Sequence, residues 1–176
     1  MWRIFFFFMG VPMMIMSLFE AIDVLPYAVE YDVLVDGKSI EMTIDQKAEL
    51  KEKIETLFGN CHTMPAFGVV TPEMYEEQIN EGTFVSIKFD KEYKLNDLPF
   101  DELVFRVCKD CHGFNLIRGQ KGIYNGRCVF LSVVDGTMDE LYDYLSTFAS
   151  SKVEASQEEQ TVEAPQIEQK EEKISD

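Results

Sequence analysis

The residues best suited to chemistry in this chain are few, and they sit in three short places. There are four cysteines, Cys61, Cys108, Cys111 and Cys128, and two histidines, each directly after a cysteine in Cys61-His62 and Cys111-His112. Thiolate and imidazole are the usual ligands of zinc, so this spacing is weighed first as a metal site. Cys108-Lys109-Asp110-Cys111 is a Cys-x-x-Cys pair, and Cys128 follows after sixteen intervening residues, which is three quarters of a zinc-ribbon spacing. Cys61 or His62 would have to complete a tetrahedral set. The candidate metal ligands are therefore Cys108, Cys111, His112, Cys128, Cys61 and His62, with zinc as the metal.

The same residues permit other chemistry. Cys108 to His112 matches the Cys-x-x-Cys-His pattern of c-type haem attachment, in which two thiols add to the haem vinyls and His112 is an axial ligand. That reading implies a largely helical protein and export, whereas Leu103 to Val107 has the pattern of a strand. A Cys-x-x-Cys pair can also cycle between dithiol and disulfide, most readily at a helix N-terminus that lowers the first thiol's pKa. Here a strand precedes it and Gly113-Phe114-Asn115 follows, so no helix dipole is evident. A Cys-His nucleophile is a further arrangement. Against all of these stands the plain one: free cysteine is among the most buried residue types and packs as a small hydrophobe. The chain holds no Gly-rich phosphate loop, nucleophile elbow or His-Glu-x-x-His run.

Whether Cys111, His112 and Cys128 meet depends on one hairpin. A turn centred on Gln120, in Gly119-Gln120-Lys121-Gly122, would set Cys128 opposite His112 and beside Cys111. A turn at Asn125-Gly126 would set Cys128 opposite Ile123, far from Cys111. Asn-Gly is the stronger isolated turn signal. The first turn allows longer apolar strands, and it is the one expected, bringing the three residues together.

The elements around this hairpin are legible from patterning. Tyr31 to Val35, Asp36-Gly37 and Lys38 to Ile44 predict a hairpin pairing Val33 with Ile40 and Tyr31 with Met42. Thr43-Ile44-Asp45-Gln46 is a capping box, and Leu50, Ile54, Leu57 and Phe58 follow at helical spacing, so a helix is expected over about 45–58, ended by Gly59 in the left-handed conformation. Cys61 to Val70 reads as a loop. Thr71-Pro72 opens a short helix that Gly82 ends. Val85, Ile87 and Phe89 alternate with Ser86 and Lys88 as in a half-buried strand. Strands follow at Leu103–Cys108, Phe114–Ile117 and Cys128–Val134. Thr137 to Glu140 is a second capping box before the apolar stripe Met138, Leu141, Leu145 and Phe148. This order predicts an α+β fold, a mostly antiparallel sheet of about five or six strands with two or three packed helices.

Composition frames these elements. Residues 27–149 are expected to form one compact domain. From about residue 150 to 176, Glu, Gln, Lys, Ser and Ala dominate and apolar residues are isolated, which predicts a disordered acidic tail. The formal net charge is −16. That sign repels phosphate backbones and excludes nucleic acid as an expected partner, since the densest basic stretch, Arg106, Lys109, Arg118, Lys121 and Arg127, is diluted by Asp101, Glu102 and Asp110. Residues 1–26 are an apolar N-terminal segment. Ile4 to Phe19 carries no charge but is short for a membrane span, and its flanks fit a cleaved signal badly. It reads as an anchor or signal, as sequence upstream of a true start near Met13, or as a buried helix. The chain is expected to be cytoplasmic, with membrane contact only through this segment; the alternative is a chain anchored in a membrane or exported through residues 1–19. The function expected is that of a non-enzymatic binding or accessory module with a protein or small-molecule partner. The alternative is a zinc- or thiol-dependent protein using the cysteine-histidine cluster.

Overall fold

The computed structural model describes residues 24–65, 71–95 and 97–158. Most of the expected N-terminal segment and the end of the expected tail lie outside the described residues. Packing begins earlier than residue 27: Leu25, in the short 3₁₀ turn Leu25–Tyr27, is buried in the core, and the Tyr31 hydroxyl donates to its carbonyl at 3.5 Å.

The first hairpin forms as its turn chemistry requires. β1 (Ala28–Val35) and β2 (Lys38–Ile40) pair Val33 with Ile40. Asp36 and Gly37 both take positive φ, 47° and 73°, which suits the twist of a two-residue turn. β2 stops at Ile40, so Tyr31 and Met42 do not pair; Tyr31 instead faces Ile87 across the other side of β1. The capping box then opens α1 (Ile44–Gly59). The Thr43 hydroxyl accepts from the Gln46 N–H at 3.3 Å, and the Gln46 side chain accepts from the Thr43 N–H at 2.8 Å. Gly59 is not the left-handed stop expected of it. It is the last helical residue, and Asn60 ends the helix by donating to the carbonyls of Thr56 and Leu57.

Cys61–Pro65 is a strand, β3, rather than a loop. It pairs antiparallel with the C-terminal half of β7 and forms one edge of the sheet, where a proline is tolerated because one side of the strand needs no partner. α2 (Pro72–Ile79) follows, capped by the Thr71 hydroxyl. Then come the long strands β4 (Thr83–Leu95) and β5 (Leu98–Val107), with β6 (Gly113–Gln120), β7 (Ile123–Val133) and the closing helix α3 (Asp139–Glu158). The α+β class with an antiparallel sheet is as expected. The strand number is corrected to seven, in the order β2-β1-β4-β5-β6-β7-β3, because β3 joins an edge. α3 also runs past the boundary expected at 149.

β2 and β3 lie on opposite edges, so the single connection between them must traverse the sheet. Sixteen residues of α1 span about 24 Å at about 1.5 Å each. Six gaps of about 4.8 Å make the sheet about 29 Å wide. α1 therefore lies across one face, and α3 shares that face. Leu50, Ile54, Leu57 and Phe58 of α1, with Met138, Leu141 and Leu145 at α3, pack on Val33, Val85, Ile87, Leu103, Phe105 and Leu116. The opposite face carries a second, smaller cluster under α2: Tyr75 and Ile79 against Phe84, Val104 and Ile117. The start of β4 is therefore buried on both sides, and Ser86, expected to face water, is buried and donates to the Glu102 carboxylate.

Candidate functional site

β5 and β6 are joined by Cys108 to His112, and this loop is the first place to look for chemistry. Cys108 and Cys111 are joined by a disulfide. Asp110 takes positive φ, 58°, to let the chain reverse within so few residues. The loop is tied to the start of α3. The Asp139 carboxylate accepts from the Asp110 N–H at 2.6 Å, the Cys111 carbonyl accepts from the Met138 N–H at 3.0 Å, and the His112 ring meets the Gly136 carbonyl through Nδ1 at 2.9 Å. The Asp110 hydrogen bond, aided by Thr137, holds the Asp139 carboxyl below its ordinary range, with Lys109 and His112 adding positive charge nearby. Asp139 therefore serves the loop, and the second capping box does not form as expected: the Thr137 hydroxyl accepts from Asp139 N–H, two residues on.

The expected meeting of Cys111, His112 and Cys128 is not made. The β6–β7 turn falls at Lys121-Gly122, with φ of 54° and 78°, and pairs Gln120 with Ile123. Two left-handed residues in a row match the twist of a hairpin, and a turn centred on Gln120 would have lacked them. The Asp101 carboxylate fixes the turn by accepting from the Lys121 N–H at 3.1 and 3.0 Å. Two irregularities along the ladder, flanking Ile117, then shift the register further, so Gly113 faces Ser132 and Cys128 sits opposite the step between Leu116 and Ile117. That is four to five residues, about 15 Å at about 3.3 Å per residue, from His112.

The other candidates are likewise apart. Cys61 pairs with Val133 and His62 with Ser132 on β3. Cys61 and Cys128 are buried free thiols. Cys61 donates to the Leu57 carbonyl at 3.1 Å, and burial pushes its thiol up to about 11. Burial pushes Cys128 up to about 12, against a small opposing pull from Arg118. Both are protonated at neutral pH and poor nucleophiles. Among the described residues, no three His, Cys, Asp or Glu side chains converge as metal ligands.

The opposite face of the sheet holds the better-formed site. α2 rests on β4, β6 and β7 through Tyr75 and Ile79, one helical turn apart, and leaves beside it a cleft of about 280 Å³. Phe84 and Ile117 are among its apolar lining; Gln78, Asn115, Arg106 and Arg127 supply polar groups, and Cys108 also lines it. Gly82 has φ +97°, and a Cβ there would come within 3.1 Å of Arg106 Nη2, so the bare glycine leaves room for the guanidinium. Tyr75 is 2 % exposed, and its buried hydroxyl has no acceptor for its proton. Burial raises its pKa, opposed by the Arg127 charge beside it and by hydrogen bonding from that guanidinium.

Reading the residues did not find this site. The signal is the basic stretch that holds Arg106 and Arg127, but their common face requires the ladder registers and the position of α2. No protein-family model matches the chain, and no curated protein or solved structure matches it.

Proposed function

We propose that this domain is a non-enzymatic binding module whose ligand surface is the cleft beside α2. One observation carries the reading: the Tyr75 hydroxyl is buried with no acceptor for its proton at a cleft that also offers two guanidinium groups and two side-chain amides. An unpaired buried hydroxyl costs roughly 1–3 kcal/mol, a cost that a bound polar ligand would relieve. Concave sites with a few convergent polar groups on an apolar floor are the usual form of small-ligand pockets. The test is a small-molecule fragment screen by nuclear magnetic resonance on the full chain. Binders are expected to shift the Gly113 and Asn115 amides, and Gln78→Trp, which fills the mouth from an exposed helix position, is expected to abolish the shifts. Binders that ignore Gln78→Trp would overturn the reading.

A second reading, thiol-dependent chemistry at Cys108 and Cys111, is supported by their disulfide. An external dithiol would reduce it with two electrons, giving two protein thiols and the disulfide of the reductant. Equilibration against dithiothreitol at set ratios, with alkylation and mass analysis, tests it. A midpoint below about −300 mV marks a structural bond, and a clearly higher one supports exchange.

A further inference from the structure

Resting on that reading of the cleft, we propose that its ligand is a small oxyanion, a phosphate or carboxylate group held by the Arg106 and Arg127 guanidinium groups with the Tyr75 hydroxyl as a further donor. The charge distribution points there first. The chain has 32 acidic and 16 basic residues, yet the cleft is lined by two arginines and no carboxylate. The lysines are treated differently. Lys47 and Lys88 each pair with Glu30 and Asp32, and Lys53 pairs with Glu49 and Glu140. Among the described residues, the ion pairs are all made by lysine, and neither cleft arginine has a carboxylate within 4.0 Å.

Arginine cannot shed its charge by deprotonation, so two of them at one cleft repel each other until an anion joins them. Their geometry suits a shared ligand. β5 and β7 flank β6, and Arg127 is level with Val104, two residues short of Arg106, so the two Cα atoms lie about 12 Å apart and the Arg106 guanidinium, which rests beside Gly82, must swing towards β6 to share a ligand. A long side chain from each, on the face of the sheet under α2, can close on one group, and the planar fork of each guanidinium matches two oxygens of a phosphate or carboxylate. Asn115 lies on β6 between them and lines the same cleft. The carbonyls at the C-terminal end of α2, which would repel an anion, are already occupied: Asn80 donates to Glu76 and Glu77, and Glu81 to Gln78. The Tyr75 hydroxyl is a donor with nothing to donate to.

The experiment titrates the full-length ¹⁵N-labelled chain with inorganic phosphate, with malonate, with sodium chloride at matched ionic strength, and with the uncharged probes acetamide and phenol. Saturable shifts of Gly113 and Asn115 with phosphate or malonate, and none with chloride, are expected. Arg106→Gln and Arg127→Gln should each raise the apparent Kd roughly tenfold, the loss of one charge-assisted pair. Tyr75→Phe should raise it several-fold with the spectrum otherwise preserved. If a glutamine variant misfolds, Arg127→Lys keeps the charge without the fork and should still weaken binding. Shifts from the uncharged probes alone would overturn the oxyanion and leave the cleft reading standing. Shifts from no probe would overturn both. Oxyanion shifts indifferent to both arginines would place binding elsewhere and end the proposal.

Discussion

Tyr75 and the cysteines show how burial alone changes what a side chain does. Tyr75 is held by its ring in the small cluster under α2 while its hydroxyl proton has no acceptor. Removing that hydroxyl should therefore stabilise the free protein. Tyr75→Phe is expected to raise the unfolding free energy by about 1 kcal/mol, measured by urea denaturation; a loss would mean that the hydroxyl is already satisfied. The buried thiols and Tyr31 act together at alkaline pH. Burial pushes Cys61 up to about 11 and Cys128 up to about 12, and burial with the nearby Glu55 charge pushes Tyr31 up to about 12. Each folded group holds its proton more tightly than the unfolded chain, whose values lie near 9 for the thiols and 10 for the phenol. Their contribution is complete below about pH 9 and is lost as pH rises towards 12. Melting temperatures should hold steady from pH 7 to about 9 and then fall. A flat profile to pH 11 would show that these groups are not buried.

At the scale of elements, the β5–β6 connection carries the most constraint. Gly113 opens β6 two residues after the disulfide, and a Cβ there would lie 2.5 Å from the Phe130 ring and 2.6 Å from the Leu131 carbonyl oxygen. The carbonyl belongs to the paired strand and cannot turn aside. Gly113→Ala should cost about 1–3 kcal/mol by overpacking, read as a drop in the urea midpoint at unchanged slope; a neutral result would mean that the two strands part easily. The disulfide just before it closes a very short loop. Restriction of the unfolded chain then contributes only about 2 kcal/mol, so the double variant Cys108→Ser and Cys111→Ser should remain folded with a loss of that order. Unfolding of that variant would assign the loop a larger role, through its ties to Asp139 and Gly136.

Over the whole molecule, the sheet has two unequal faces. α1 and α3 cover one completely enough to build the main core, and α2 covers only part of the other. The cleft exists because α2 has only eight residues and shelters only part of a face seven strands wide. A ligand held there binds only the folded chain and must raise its stability. Phosphate at about a hundred times its Kd should add about 2.7 kcal/mol, and chloride at the same ionic strength should not. Equal effects of the two salts would reduce this to general screening. No helix among the described residues is long and apolar enough to cross a membrane.

The local features were legible in the residues. The Asp36-Gly37 turn, the Thr43–Gln46 box, the Leu50 to Phe58 stripe and the inward run Val85, Ile87 and Phe89 are contacts between near neighbours, written in spacings of two, three and four residues. β3 was missed because an edge strand pairs on one side only and needs no repeating pattern; Cys61 to Pro65 becomes a strand when β7 lies beside it. The β6–β7 register could not be read either. Turns at Gly119–Gly122 and at Asn125-Gly126 both have suitable glycines, and the ladder irregularities around Ile117 depend on packing that spacing does not encode. Those shifts of a few residues separated Cys128 from His112. The cleft is more distant still from the linear chain: Tyr75, Arg106, Asn115 and Arg127 come from one helix and three strands. Sequence dictates each element because its hydrogen bonds and periodicity are local. Only the folded sheet decides which side chains share a face, because that follows from strand order and register, set by contacts between residues far apart in the chain.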